Sequence, residues 1–154
     1  MTTADYVAYG ADYIHDITLS NVGNELTGVI SAVGKNVSIV NGRSTVCGDI
    51  MATKTLAVMS GGDIRQAADT AVFATSGAAS FAADGDIALN SAANNFLAVS
   101  LEGRDVALAD ATGVILGDVT ATGNLTVQAG GKISQLDGTR VAANSDGASA
   151  TFQA

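Results

Sequence analysis

Few residues in this chain could carry chemistry. His15 is the only histidine and Cys47 the only cysteine. A nucleophile–histidine–carboxylate relay or a histidine metal site would have to use His15. Its counterpart one repeat later is Gly85, so His15 reads as a surface or cap residue. Carboxylates are more numerous, and some return: Asp16 recurs as Asp86, and Asp49 as Asp118. Glycoside hydrolysis needs two carboxyl groups in different environments, one acting as acid and the other as base or nucleophile. A carboxylate that comes back once per repeat behaves as a structural position instead. The aspartates are therefore expected at corners and turns, and no catalytic, cofactor-binding or metal-ligating residue is assigned.

Other motifs are fragments. Gly61-Gly62-Asp63-Ile64 begins like a calcium-binding nonapeptide and does not continue, and Asp63 is replaced by Lys132 in the second copy, which removes an oxygen ligand. Only weak calcium binding stays open. Gly61-Gly62 and Gly130-Gly131 lack the strand–loop–helix setting and the Lys-Ser/Thr of a phosphate cradle. Thr120-Ala-Thr122 resembles an ice-binding step, but the first copy has Met51-Ala-Thr53 and no column of such steps follows. Cys47 corresponds to Leu116, so it is expected in the core as a small hydrophobe.

Composition sets wider limits. The net charge of −8, with only seven Lys plus Arg, argues against nucleic acid or an anionic membrane as the main partner. Those cations are Lys35, Arg43, Lys54, Arg65, Arg104, Lys132 and Arg140, few for an enzyme that grips acidic sugars. No apolar run approaches the roughly 18–20 residues of a membrane helix. A single cysteine rules out an intrachain disulfide framework.

The residues are positioned by a long repeat. Gly48–Gln66, GDIMATKTLAVMSGGDIRQ, returns as Gly117–Gln135, GDVTATGNLTVQAGGKISQ, at an offset of 69. Asp16-Ile-Thr-Leu returns as Asp86-Ile-Ala-Leu at an offset of 70, with Asn24 matching Asn94, Leu26 matching Phe96 and Val29 matching Val99. The two copies run from about 15 to 84 and from about 85 to 154. Residues 1–14, with Tyr6, Tyr9 and Tyr13, stand outside as an N-terminal cap or lead-in, with a tyrosine binding patch as the sharper alternative.

Inside each copy runs a shorter beat of apolar-x-apolar triplets. They begin at Ile17, Val37, Leu56 and Val72, and again at Ile87, Val106, Leu125 and Val141. Alternation of this kind marks half-buried strands. The paired glycines and Gly85 are expected at bends, where glycine allows positive φ. Eight beats predict an all-β, right-handed parallel β-helix (β-solenoid) of about eight coils in two long repeats, over residues 15–154.

The pattern G-D-V/I-x-A-T-x-x-L-x-V-x-x-G-G-x-I-x-Q, preceded by the N-x-F/L and N/D-V-x-I/L steps, resembles the repeat region of large bacterial exoproteins of the filamentous haemagglutinin type. Gly85–Gln135 carries it best and Asp16–Gln66 in a more diverged form. The resemblance implies a secreted or cell-surface location as part of a longer exported chain, and a non-enzymatic role as adhesin or stalk. The segment Met1–Ile14 has neither the basic nor the apolar region of a secretory signal, which fits a shaft segment. The partners expected are a host-surface glycan or matrix protein, with end-to-end self-association. The alternatives are a carbohydrate-active enzyme (lyase or hydrolase) on the same fold, or a self-assembling fibre subunit.

Overall fold

The computed structural model of the chain describes residues 14–154 and the backbone of Thr3–Val7. Tyr9 and Tyr13, part of the expected cap, lie outside the described residues. Every described element is a strand. They are β1 (Thr3–Val7), β2 (Ile17–Leu19), β3 (Val29–Gly34), β4 (Val37–Asn41), β5 (Thr45–Ala52), β6 (Leu56–Ser60), β7 (Ile64–Gln66) and β8 (Val72–Ala83). There follow β9 (Ile87–Leu89), β10 (Asn95–Gly103), β11 (Val106–Asp110), β12 (Val114–Ala121), β13 (Leu125–Ala129), β14 (Ile133–Gln135), β15 (Val141–Ala143) and β16 (Ala150–Gln153).

The pairing is parallel throughout and skips a strand at each step. One ladder runs β1-β3-β5-β7-β9-β11-β13-β16. The other runs β2-β4-β6-β8-β10-β12, and β12 then pairs with both β14 and β15. The chain alternates between the two ladders except at the long β8, whose start pairs with β5 of the first ladder and whose remainder pairs with β6 of the second. This is a parallel β-solenoid of about seven turns. At about 4.8 Å per rung it is roughly 34 Å long.

Seven turns arise from eight beats for a geometric reason. The first three triplets of a copy, at Ile17, Val37 and Leu56, are successive rungs of one ladder. The fourth, at Val72, pairs with Ile50 and belongs to the other ladder, half a coil on. Ile87, which opens the second copy, then pairs with Ile64 on that other ladder. A copy of seven strands, β2 to β8, thus spans three and a half coils. The second copy repeats the first after a half-turn.

Period-two alternation decides what goes inside. In β4 the residues Val37, Ile39 and Asn41 are buried and the two between them only half so; β13 buries Leu125, Val127 and Ala129 in the same way. Each rung sets its inward side chains on those of the next, giving columns such as Val37–Leu56–Ala79–Val99–Leu116. Burial of each Val, Leu or Ile contributes about 1.5–3 kcal/mol. Phe81 and Phe96 meet edge to face with ring centres 5.8 Å apart. The registers also refine the alignment of the copies. Ile30 pairs with Cys47 as Val99 pairs with Leu116, so Ile30, and not Val29, is the equivalent of Val99.

The glycines are needed for a different reason from the one expected. Positive φ occurs at Gly28, Gly138 and Gly147, and not at Gly61, Gly62, Gly85, Gly130 or Gly131. A side chain at those five would crowd the neighbouring coil: Gly61 meets the Gly42 carbonyl (2.6 Å), Gly130 the Ala111 carbonyl, and Gly85 the Asp63 carboxylate. Gly48 and Gly117 do the same at a β-bulge, where a Cβ would strike Ser31 or Ser100. Close rung-to-rung approach, and not turn conformation, imposes glycine there.

Gly130→Ala forces a methyl against a backbone carbonyl and is expected to cost about 1–3 kcal/mol. Gly138→Ala meets open space but must hold φ near +80, at about 1 kcal/mol. Urea unfolding of the two variants should rank them in that order.

Candidate functional site

Most side chains that looked capable of chemistry are occupied in tying one coil to the next. The Asp63 carboxylate accepts the Asp86 N–H at 2.9 Å, Asp86 accepts from Asp105 at 3.2 Å, Asp105 from Asn124 at 2.7 Å, and the Asn124 side chain from Ser149 at 3.0 Å. At the first coils Asp16 accepts from Asn36 at 3.1 Å and the Asn36 side chain from Thr55 at 3.4 Å. These are backbone N–H groups at a corner, where the strand ladder gives them no partner, so a side-chain oxygen from the coil before takes its place. Asp49 and Asp118 play one role in both copies. Asp49 accepts the Ala71 N–H and Asp118 the Arg140 N–H, each at 2.9 Å. Asp16 and Asp86 stand at corners, as their repetition implied, whereas Asp49 and Asp118 lie within β5 and β12, at the β-bulge of the pairing.

Asp86 also takes both arms of Arg104 at 2.8 Å, and that hydrogen bond holds its carboxyl below the ordinary value of 3.8. Cys47 is fully buried, and burial pushes its thiol up to about 12. It is protonated and shielded at neutral pH, as a core hydrophobe would be. His15 is exposed beside Asp16 and Lys35 in an open hollow. Among the described residues no three His, Cys, Asp or Glu side chains gather as a metal-ligating group.

One surface feature does bring different residues together. After β7 and after β9 the chain leaves the ladder in loops, 67–71 and 90–94, that stack in adjacent coils. Between them lies an open groove of about 490 Å³ lined by Arg65, Gln66, Asp69, Asn90 and Ser91 with small alanines. Beneath it Gln66 and Asn94 form a two-way amide pair at 2.7 and 3.0 Å. Asn94 is completely buried and also accepts the Val72 N–H and donates to the Leu89 carbonyl. Asp69 holds the loop at φ 59. The groove can offer hydrogen bonds from Arg65, Asn90 and Ser91, but it has no aromatic platform and no nucleophile–base pair. The repeat alignment already marked Gln66 and Asn94 as recurring, as Gln135 and Asn24. That they meet was not readable, because they lie 28 positions apart in different copies.

A family model described as repeats of unknown function (DUF5649) matches residues 34–102 and 103–154. The chain belongs to this family. The two matches open at Gly34 and Gly103, in phase with the 69-residue offset. No curated protein and no solved structure matches the chain.

Three outcomes follow. Asn94→Ala strands the buried Val72 N–H and removes the paired amide from Gln66, which keeps only its bonds to Thr70 and Ser91, and should destabilise by about 2–3 kcal/mol in denaturant. Cys47 should resist a thiol reagent in the native protein and react stoichiometrically once urea unfolds it. Because the folded Asp86 value is depressed, the stability gained from the Arg104 pair is present above pH 3.8 and lost as the pH falls through the folded value. The melting-temperature gap between wild type and Asp86→Asn should therefore close in acid.

Proposed function

We propose that this chain is a non-enzymatic shaft segment of a secreted or surface-displayed bacterial exoprotein of the filamentous haemagglutinin type, wound right-handed as parallel crossovers are. The observation that carries the reading is the unbroken stack. Rung follows rung on both ladders, and the corner aspartates and asparagines are spent on joining coils. Such a stack resists bending and holds whatever follows it at a fixed distance. The repeat resemblance supports the exported setting, and the acidic surface suits a solvated shaft. The catalytic alternative finds little support, since the recurring carboxylates already hold backbone N–H groups.

A second reading rests on the Arg65–Ser91 groove, which could make shallow hydrogen-bonded contact with a neutral host-surface glycan. In that case the shaft is itself adhesive.

Insertion of the chain between the anchor and an epitope of an exported bacterial carrier tests the first reading. The epitope should remain displayed and its distance from the membrane, read by energy transfer, should grow by roughly 34 Å. Loss of display, or display with no added distance, defeats the shaft. A glycan and matrix-protein array probed with wild type and Arg65→Ala/Asn90→Ala addresses the second. Saturable binding lost in the variant establishes an adhesive groove, and a blank array removes it.

A further inference from the structure

The chain holds a single Asn-Gly step, Asn41-Gly42. Asparagine is chemically labile, and most so before glycine, which has no side chain to hinder attack by its own backbone nitrogen. In the reaction the Gly42 nitrogen gives up its proton and bonds to Asn41 Cγ. The Cγ–Nδ2 bond breaks, ammonia leaves, and a five-membered succinimide is left. Water then opens the ring at either carbonyl, giving aspartate or isoaspartate at 41. Ring closure needs a free nitrogen, a free amide and a backbone that can turn between them.

The fold withholds all three. Asn41 ends β4 and is only 1 % exposed. Its Oδ1 accepts the Leu26 N–H at 3.0 Å, and its Nδ2 has the Leu26 carbonyl, the Ser44 carbonyl and the Thr45 hydroxyl at 3.1–3.2 Å. The Gly42 N–H donates to the Asn24 carbonyl at 2.8 Å. The Asn41 carbonyl accepts the Gly61 N–H at 2.8 Å, which fixes the torsion that ring closure must turn. The first two locks depend on one segment, the loop 20–28 between β2 and β3, which belongs to no strand. Three anchors pin it. The Asn24 side chain donates to the Leu19 and Val40 carbonyls at 3.2 and 3.1 Å, and Leu26 packs against the core. The exposed Arg43–Glu25 pair at 3.0 Å adds little.

We propose that Asn41-Gly42 is a latent deamidation site guarded by the loop 20–28, and that its product stops the loop from closing again. Opening this loop costs far less than unfolding the stack, and it leaves the Gly61 bond as the last restraint. The second copy shows what a carboxylate needs at this position. Asp110, the counterpart of Asn41, is followed by Ala111, whose N–H donates to the Asn94 carbonyl at 2.7 Å as that of Gly42 does to Asn24. The Asp110 oxygens accept the Phe96 N–H and both the N–H and the hydroxyl of Thr112. Arg43 stands where Thr112 does, so aspartate at 41 has no such hydroxyl. It faces the Leu26 and Ser44 carbonyls instead, which lose their donor. Isoaspartate puts one more carbon into the backbone just before Gly42 and so displaces its N–H from Asn24.

Peptide mapping of deamidation at 41, on the full chain at mildly alkaline pH, tests this beside hydrogen exchange at the Gly42 amide. Native protein should react more than about tenfold slower than protein in urea. Asn24→Ala removes an anchor of the loop and none of the reacting atoms. It should stay folded by circular dichroism and react faster than wild type, in step with its Gly42 exchange. Leu26→Ala loosens the loop independently and should do the same. Gly42→Ala, the residue that the second copy carries as Ala111, should suppress the reaction even in urea. Asn41→Asp should speed exchange at Gly42 and Leu26 while the later rungs stay protected. The proposal is overturned by native deamidation as fast as that in urea, by none in urea, by loop variants whose rates do not follow Gly42 exchange, or by unchanged exchange in Asn41→Asp. These readouts concern the endurance of the first coils and not display or ligand binding, so the shaft reading stands or falls separately.

Discussion

The structure depends on one constraint: each coil must sit a single strand spacing above the last, with backbone hydrogen bonds on both sides and like side chains stacked inward. That spacing is short, so it fixes which residues fit at every level. Branched aliphatics fill the columns because they pack on a pleated surface. Glycine is required wherever a corner of one coil passes over a carbonyl or hydroxyl of the coil beneath. No coil is stable alone, since its apolar face is closed only by its neighbours. Stability is therefore a property of the stack.

The same spacing explains the polar residues. Corners interrupt the strand ladder and leave backbone N–H groups without partners. An aspartate, asparagine or serine one coil below reaches them, at distances of 2.7–3.4 Å. Inside, Asn41 satisfies both backbone groups of Leu26 and donates to Thr45, and Thr45 donates to Ser60, so a buried polar corner is closed by its own partners. Among the described residues no buried side-chain polar atom lacks a hydrogen-bond partner. Residues that could have been catalytic elsewhere are here the joints between coils.

A repeat of three and a half coils has a consequence that a whole number would not. Equivalent positions of successive copies face opposite sides of the rod, so loops 67–71 and 136–140 project from different ladders. Stacked loops, and with them the Arg65–Ser91 groove, form where the end of one copy meets the start of the next. Function that resides in the groove would thus belong to the junction and not to either repeat alone.

By itself the sequence determined the class of fold, the positions of most strands and the burial of Cys47. All of these follow from local period-two alternation and from the replacement of one apolar residue by another between copies. It also marked the recurring aspartates as structural. Tertiary structure alone decided the turn count, because whether the Val72 triplet opens a new coil or completes half of one depends on which strand it pairs with, 22 residues back at Ile50. It decided the reason for the glycines, since the atoms that exclude a side chain come from a different coil. It brought Gln66 to Asn94. Each of these rests on contact between coils about 20 residues apart, a distance set by loop lengths that periodicity does not encode.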